Sequence, residues 1–105
     1  MVKVVSFYLP QFHAIPENDE VWGKGFTEWN NVRAAKPLIP DHYQPREPLN
    51  DNYYNLLDED TIEWQTQIAK DHGVFGWCIY HYWFNRDKMI LNKPLELLHN
   101  SKKIH

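Results

Sequence analysis

Asp58-Glu59-Asp60-Thr61-Ile62-Glu63-Trp64-Gln65-Thr66-Gln67-Ile68-Ala69-Lys70-Asp71-His72-Gly73-Val74-Phe75-Gly76-Trp77-Cys78-Ile79-Tyr80 changes its period at Gly73. Before the glycine, Ile62, Gln65, Ile68 and Ala69 recur at helical spacing, with Trp64 beside Ile68 one turn on. Residues 58–72 are therefore expected as a helix. Asp58, Glu59 and Asp60 place negative charge on its first turn, where the helix dipole is positive. Gly73 stands where a helix commonly ends in a left-handed residue. After it, Val74 to Tyr80 is apolar without alternation, the pattern of a strand covered on both faces. Cys78 lies inside that run and reads as a small buried hydrophobe.

Working outward, Val2, Val4, Val5, Phe7, Tyr8 and Leu9 give a second run of this kind, which Pro10 ends, so residues 2–9 are expected as a strand. On the other side, Pro94 opens a helix with Leu95, Leu97 and Leu98. Residues 10–57 hold six of the seven prolines. A short helix from Thr27 to Ala35 with Thr27 as its N-cap is expected there, and irregular backbone elsewhere. A loop of this length is functional or disordered. Trp22, Phe26, Trp29, Tyr43, Tyr53 and Tyr54 argue for order.

The order is strand, long loop, helix, strand, loop, helix. Buried strands alternating with helices define the α/β class, with parallel strands and a right-handed crossover. The strands near 2–9 and 74–80 are thus expected to be parallel neighbours joined through helix 58–72. Two strands do not cover both faces of a sheet. Residues 1–105 are accordingly expected to be one partial domain, the first part of a larger α/β domain. Unpaired strand edges and open apolar faces predict self-association or a missing C-terminal remainder.

Composition limits the classes further. Hydrophobic residues make up 43% of the chain, the formal charge is −3 and the pI is about 6.0. The eleven Lys and Arg form no basic stripe, which argues against nucleic acid as a partner. One cysteine excludes an internal disulfide framework. No run approaches the ~18 apolar residues of a membrane span, and the first ten residues lack a signal-peptide pattern. A cytoplasmic setting is the expectation.

Sixteen aromatic side chains occur, and half of them fall in two clusters. One is Trp22-Gly23-Lys24-Gly25-Phe26-Thr27-Glu28-Trp29. The other is Trp77-Cys78-Ile79-Tyr80-His81-Tyr82-Trp83-Phe84. Flat faces mixed with hydrogen-bonding tips suit a ligand with apolar C–H faces and many hydroxyls, a sugar. In α/β barrels, functional groups stand at the carboxyl ends of strands. That rule selects Tyr8 to His13 and Tyr80 to Asn85. Tyr8, Gln11, His13, Trp22, Trp29, Tyr80, His81, Tyr82 and Trp83 are the candidate substrate-binding residues, and Glu28 is the catalytic acid/base candidate. His13, Glu28, Trp29 and His81 are expected to converge on one rim. The bland alternatives are a solvated first-turn glutamate for Glu28 and neutral, backbone-satisfied imidazoles for the two histidines.

Other chemistries find little support. Gly23-Lys24-Gly25-Phe26-Thr27-Glu28 lacks the third glycine of a dinucleotide fingerprint, and no P-loop is present. The histidines lack HxxxH or HxH spacing and Cys78 lacks a partner, so no metal and no cofactor is expected. Ser6 and Ser101 lie outside any nucleophile-elbow context.

Several strings resemble one family closely. Phe7-Tyr8-Leu9-Pro10-Gln11-Phe12-His13 with Ile15-Pro16-Glu17-Asn18 is similar to the opening of the WbsX-type glycosyltransferases. So are Trp22-Gly23-Lys24-Gly25-Phe26-Thr27-Glu28-Trp29-Asn30-Asn31-Val32, His42-Tyr43-Gln44-Pro45-Arg46 and Gly76-Trp77-Cys78-Ile79-Tyr80-His81-Tyr82-Trp83-Phe84. The resemblance runs from about Val2 to Leu98. It implies the N-terminal part of a (β/α)8 TIM-type barrel, with a long first βα loop, related to family 99 glycoside hydrolases. It implies a glycosyltransferase role in lipopolysaccharide O-antigen or capsular polysaccharide biosynthesis, with a carbohydrate substrate and a nucleotide-sugar donor as one form of it. The hydrolase relatives' carboxylates lie further along, so the isolated chain is expected to be inactive. Two further readings stay open: a non-catalytic glycan-binding or assembly module, and a fragment of a glycoside hydrolase-like enzyme.

Overall fold

The computed structural model describes residues 1–44 and 46–103. Pro45, inside the His42–Arg46 string, and Ile104 and His105 at the end of the expected domain lie outside the described residues. The chain forms two compact units, one of residues 1–11 with 55–105 and the other of residues 12–54.

The first unit is built on a βαβ crossover. Strand β1 (Val4–Tyr8) pairs in parallel with β2 (Val74–Ile79), and helix α3 (Glu59–Asp71) lies between them in sequence. The register runs from Val4↔Val74 to Tyr8↔Ile79, with an irregularity after Val4. This is the expected parallel neighbour pair. Asp58 caps α3, its carboxylate accepting from Asp60 N–H at 3.0 Å. Gly73 ends the helix at φ 79°, the left-handed turn expected of it.

Helix α3 covers one sheet face. Ser6, Tyr8, Val74 and Trp77 meet Gln65 and Ala69 around a cavity of about 320 Å³. Leu56, Ile62 and Pro94 are fully buried and form the small core. The opposite face is open: Val5 is 53% and Phe7 76% exposed, and Cys78 is exposed. This corrects the expectation of strands covered on both faces and of a buried Cys78. The reason is layer count, because one helix covers one face of a two-stranded sheet and no described element covers the other.

After β2 comes an antiparallel hairpin, β3 (Tyr82–Asn85) with β4 (Lys88–Ile90). It was expected as a loop, since its turn lacks Gly and Pro. Asn85 makes the turn instead, its side-chain oxygen accepting from Asp87 N–H at 2.9 Å. Helix α4 (Lys93–Asn100) follows, with Pro94 in its first turn as expected. Beyond it, Ser101 Oγ donates to the Glu59 carboxylate and Lys103 pairs with Asp60 at 3.0 Å. These bonds tie the end of α4 to the start of α3.

The second unit holds helices α1 (Pro16–Trp22) and α2 (Glu28–Ala34) and a 3₁₀ turn at Leu49–Asp51. Helix α2 and its cap match expectation. Thr27 and Asn30 form a reciprocal capping box, Thr27 accepting from the backbone and Asn30 Oδ1 accepting from Thr27 N–H at 3.1 Å. Helix α1 was not expected, because it has no apolar stripe and buries no residue. Pro16 at its start and Glu17 and Asp19 in its first turn favour it locally. The Asp19 carboxylate then accepts from Gly25 N–H at 2.9 Å, closing the turn beyond the helix.

Candidate functional site

Parallel pairing puts the carboxyl ends of β1 and β2 together, and the ladder continues one step beyond β2. Tyr80 N–H donates to the Tyr8 carbonyl at 3.0 Å. Gln11 follows a tight turn in which its N–H donates to the Leu9 carbonyl at 3.0 Å. Its side-chain oxygen accepts from the Tyr82 hydroxyl at 2.9 Å, joining the segment after β1 to the base of the hairpin. Gln11, Tyr80 and Tyr82 are therefore gathered at one end of the sheet, with His81 between the two tyrosines in sequence. Tyr80 is 54% and Trp83 67% exposed, and His81 is exposed. The Tyr80 ring lies 6.0 Å from that of Phe7.

Tyr8 is placed differently. Its ring stacks on Trp77 at 4.9 Å and 25°, and its hydroxyl donates to Gln65 Oε1 at 2.5 Å. It fastens β1 to α3 on the helix-covered face. A polar Gln65 on the apolar stripe of α3 was the sequence signal for this bond, and it went unread.

The Phe12–Tyr54 unit holds His13, Trp22, Glu28 and Trp29. Trp29 is the hub of an aromatic cluster: it lies 4.7 Å from Phe12 and meets Tyr53 and Tyr54 edge-on at 5.2 and 5.0 Å. Its indole N–H donates to the Tyr54 carbonyl at 2.8 Å. Arg33 adds its guanidinium over the Tyr53 ring at 4.0 Å. This clamp joins the two ends of the Phe12–Tyr54 unit. Phe12, Arg33, Tyr53 and Tyr54 were not among the candidate site residues. Trp22 stacks on Phe26 at 5.7 Å and is 67% exposed. Glu28 is the first residue of α2 and half-buried, with Asn31 Nδ2 donating to its Oε2 at 3.3 Å.

His13 is 1% exposed, and among the described residues neither ring nitrogen has a hydrogen-bond partner. Burial alone pushes its pKa below the ordinary 6.5, so the ring is neutral at pH 7. A neutral imidazole offers one donor and one acceptor, the pair a hydroxyl can satisfy. Buried polar groups left unpaired are rare because each costs on the order of 1–3 kcal/mol.

His13, Glu28 and Trp29 thus belong to one unit and His81 to the other. Among the described residues, no group of three or more His, Cys, Asp and Glu is placed to hold a metal ion. None of the described helices is long and apolar enough to cross a membrane.

Residues 4–105 match the model of a protein family described as Glycosyltransferase WbsX. WxcX of Xanthomonas campestris pv. campestris strain B100, described as an uncharacterized protein, is 45% identical over 101 residues, which cover 96% of this chain and 14% of that protein. WxcX of strain ATCC 33913 matches with the same identity and coverage. The chain therefore spans about 14% of the length of the curated relatives it matches. No solved structure matches it.

Proposed function

The chain belongs to the WbsX glycosyltransferase family, and from that premise we propose that it supplies part of the sugar-binding surface of a glycosyltransferase-like protein in lipopolysaccharide O-antigen or capsular polysaccharide assembly. The surrounding fold in this reading is the opening of a (β/α)8 barrel, of which β1, α3 and β2 are one βαβ unit.

The observation that carries the reading is the gathering of Gln11, Tyr80 and Tyr82 at the carboxyl end of the parallel pair, with His81 and Trp83 exposed beside them in sequence. Large aromatic faces left in water beside amide and imidazole groups match the two demands of a sugar, stacking and hydroxyl pairing. In this reading Tyr80, Tyr82 and Trp83 stack, while Gln11 and His81 hold hydroxyls. In the Phe12–Tyr54 unit, taken by itself, Glu28 is the acid/base candidate and Trp22 an exposed stacking face. Tyr8, bonded to Gln65, acts by fixing the strand of the first unit, and Trp29, bonded to the Tyr54 carbonyl, by fixing the backbone of the second.

Saturation-transfer NMR with a panel of mannose- and glucose-containing oligosaccharides tests it. The expected result is transfer to sugar protons that falls on Trp83→Ala and His81→Ala. Equal transfer from both variants and the parent chain would reject the site. A reading as a glycan-binding module without turnover rests on Glu28 being the single carboxylate among the candidate site residues; glycosidic chemistry commonly asks for two, about 5–9.5 Å apart. Glu28→Gln in the longer protein separates the two readings. Loss of turnover supports an acid/base role, and unchanged turnover supports binding alone.

A further inference from the structure

The β3–β4 hairpin stands apart from the rest of its unit. Among the described residues it packs against no other helix or strand, and every residue from Tyr82 to Met89 is exposed. A two-stranded ribbon has little stability of its own. Trp83 and Met89 lie opposite each other across the strands and stay 67% and 48% exposed. Such a pair holds the two strands together without anchoring them to a core.

Two features show how the hairpin is held. At its base, the Tyr82 hydroxyl donates to the Gln11 side-chain oxygen at 2.9 Å, in a bond open to water. At its exit, Leu91 has φ 56°, the left-handed region in which an L side chain is strained. Leu91 separates β4 from Asn92, the N-cap of α4. A rotation of the hairpin that returns Leu91 to the ordinary region relieves that strain. Sparse packing, a water-exposed bond at the base and a strained residue at the exit are features of a segment that opens locally.

Gln11 is also the residue to which the sugar reading gives a hydroxyl. A sugar hydroxyl that donates to its side-chain oxygen competes with a phenol already bonded there. We propose that the Tyr82–Gln11 bond is a latch, that the hairpin swings as a unit about Leu91 when the latch opens, and that a carbohydrate hydroxyl taking the Gln11 oxygen releases it. The latch and pivot stand on the geometry of the unit, and the identity of the competitor rests on the sugar reading. Coupling of this kind is reciprocal, so whatever weakens the latch strengthens binding at Gln11.

The test is amide hydrogen exchange read by NMR, with and without mannotriose, on the parent chain, Tyr82→Phe and Gln11→Leu. Without sugar, both variants should raise exchange of the hairpin amides about fivefold, the weight of one such hydrogen bond, and leave the β1–β2 amides unchanged. Equal hairpin exchange in the parent and both variants would overturn the latch. Loosening of α4 together with the hairpin would overturn the pivot at Leu91. Mannotriose should raise hairpin exchange in the parent chain and leave it unchanged in Tyr82→Phe. It should bind Tyr82→Phe more tightly than the parent and Gln11→Leu more weakly. The first substitution removes the competitor, and the second removes the oxygen for which both compete. Weaker binding to Tyr82→Phe would overturn release by the ligand. A parent spectrum unmoved by mannotriose, with both variants still loosening the hairpin, would reject the carbohydrate as competitor and uphold the latch.

Discussion

An imidazole buried with neither ring nitrogen paired loses its hydrogen bonds to water and regains none. His13 is in that position among the described residues, and burial lowers its pKa from 6.5. The sign of the pH effect follows from linkage. Where the unfolded chain takes up a proton that the folded chain refuses, stability falls as pH falls. The contribution of His13 is fully present above 6.5 and is lost as pH drops from 6.5 towards the lowered folded value. Denaturant midpoints measured across that interval should fall, and His13→Leu should remove this part of the slope. An unchanged slope in the variant would assign the acid sensitivity to other groups. Trp29 gives a second expectation at this scale. Trp29→Phe keeps an aromatic ring in the cluster but deletes the bond to the Tyr54 carbonyl. A loss of about 1 kcal/mol in equilibrium unfolding is expected, and no loss would mean that water replaces the indole.

Among the elements, α3 and its exit to β2 depend on one backbone conformation. Gly73 sits at φ 79°, where an L side chain is strained, although a Cβ there would meet nothing within 4 Å. Gly76 has equal room and no such φ. Gly73→Ala is therefore expected to cost about 1–2 kcal/mol through the left-handed conformation alone, and Gly76→Ala to be near neutral. Thermal unfolding of the two variants side by side checks this, and equal destabilisation would refute the conformational account. Helix α3 and both long strands were legible in sequence because their apolar spacing and end signals agree. Helix α1 and the hairpin were not. The first is held by Pro16, acidic first-turn residues and an Asp19 bond to the Gly25 N–H in the following turn, and the second turns on an asparagine side chain. Neither device leaves a hydrophobic period to read.

For the molecule as a whole, the open face of the β1–β2 pair is the dominant feature. Val5, Phe7 and Cys78 lie exposed on it, and both outer strand edges are unpaired in the described sheet. Parallel sheets are normally covered on both faces, and exposed edges invite pairing with other chains. We propose that this face is covered in the working protein and that the 105-residue chain, studied alone, associates through it. Sedimentation equilibrium over a concentration series should show mass rising with concentration. Alkylation of Cys78 should slow over the same range. A concentration-independent monomer with constant thiol reactivity would exclude association through this face.

The sequence by itself determined the α/β class, the parallel βαβ order, the caps at Thr27 and Gly73, and the family. These depend on local spacing and local backbone preference, which neighbouring residues set. Only the tertiary structure decided which faces are covered, that Tyr8 and Trp29 bond to Gln65 and Tyr54, and that Cys78 is exposed. Apolar spacing says that a side chain favours burial. It does not say whether a layer is present to bury it, nor which distant polar group will meet its tip.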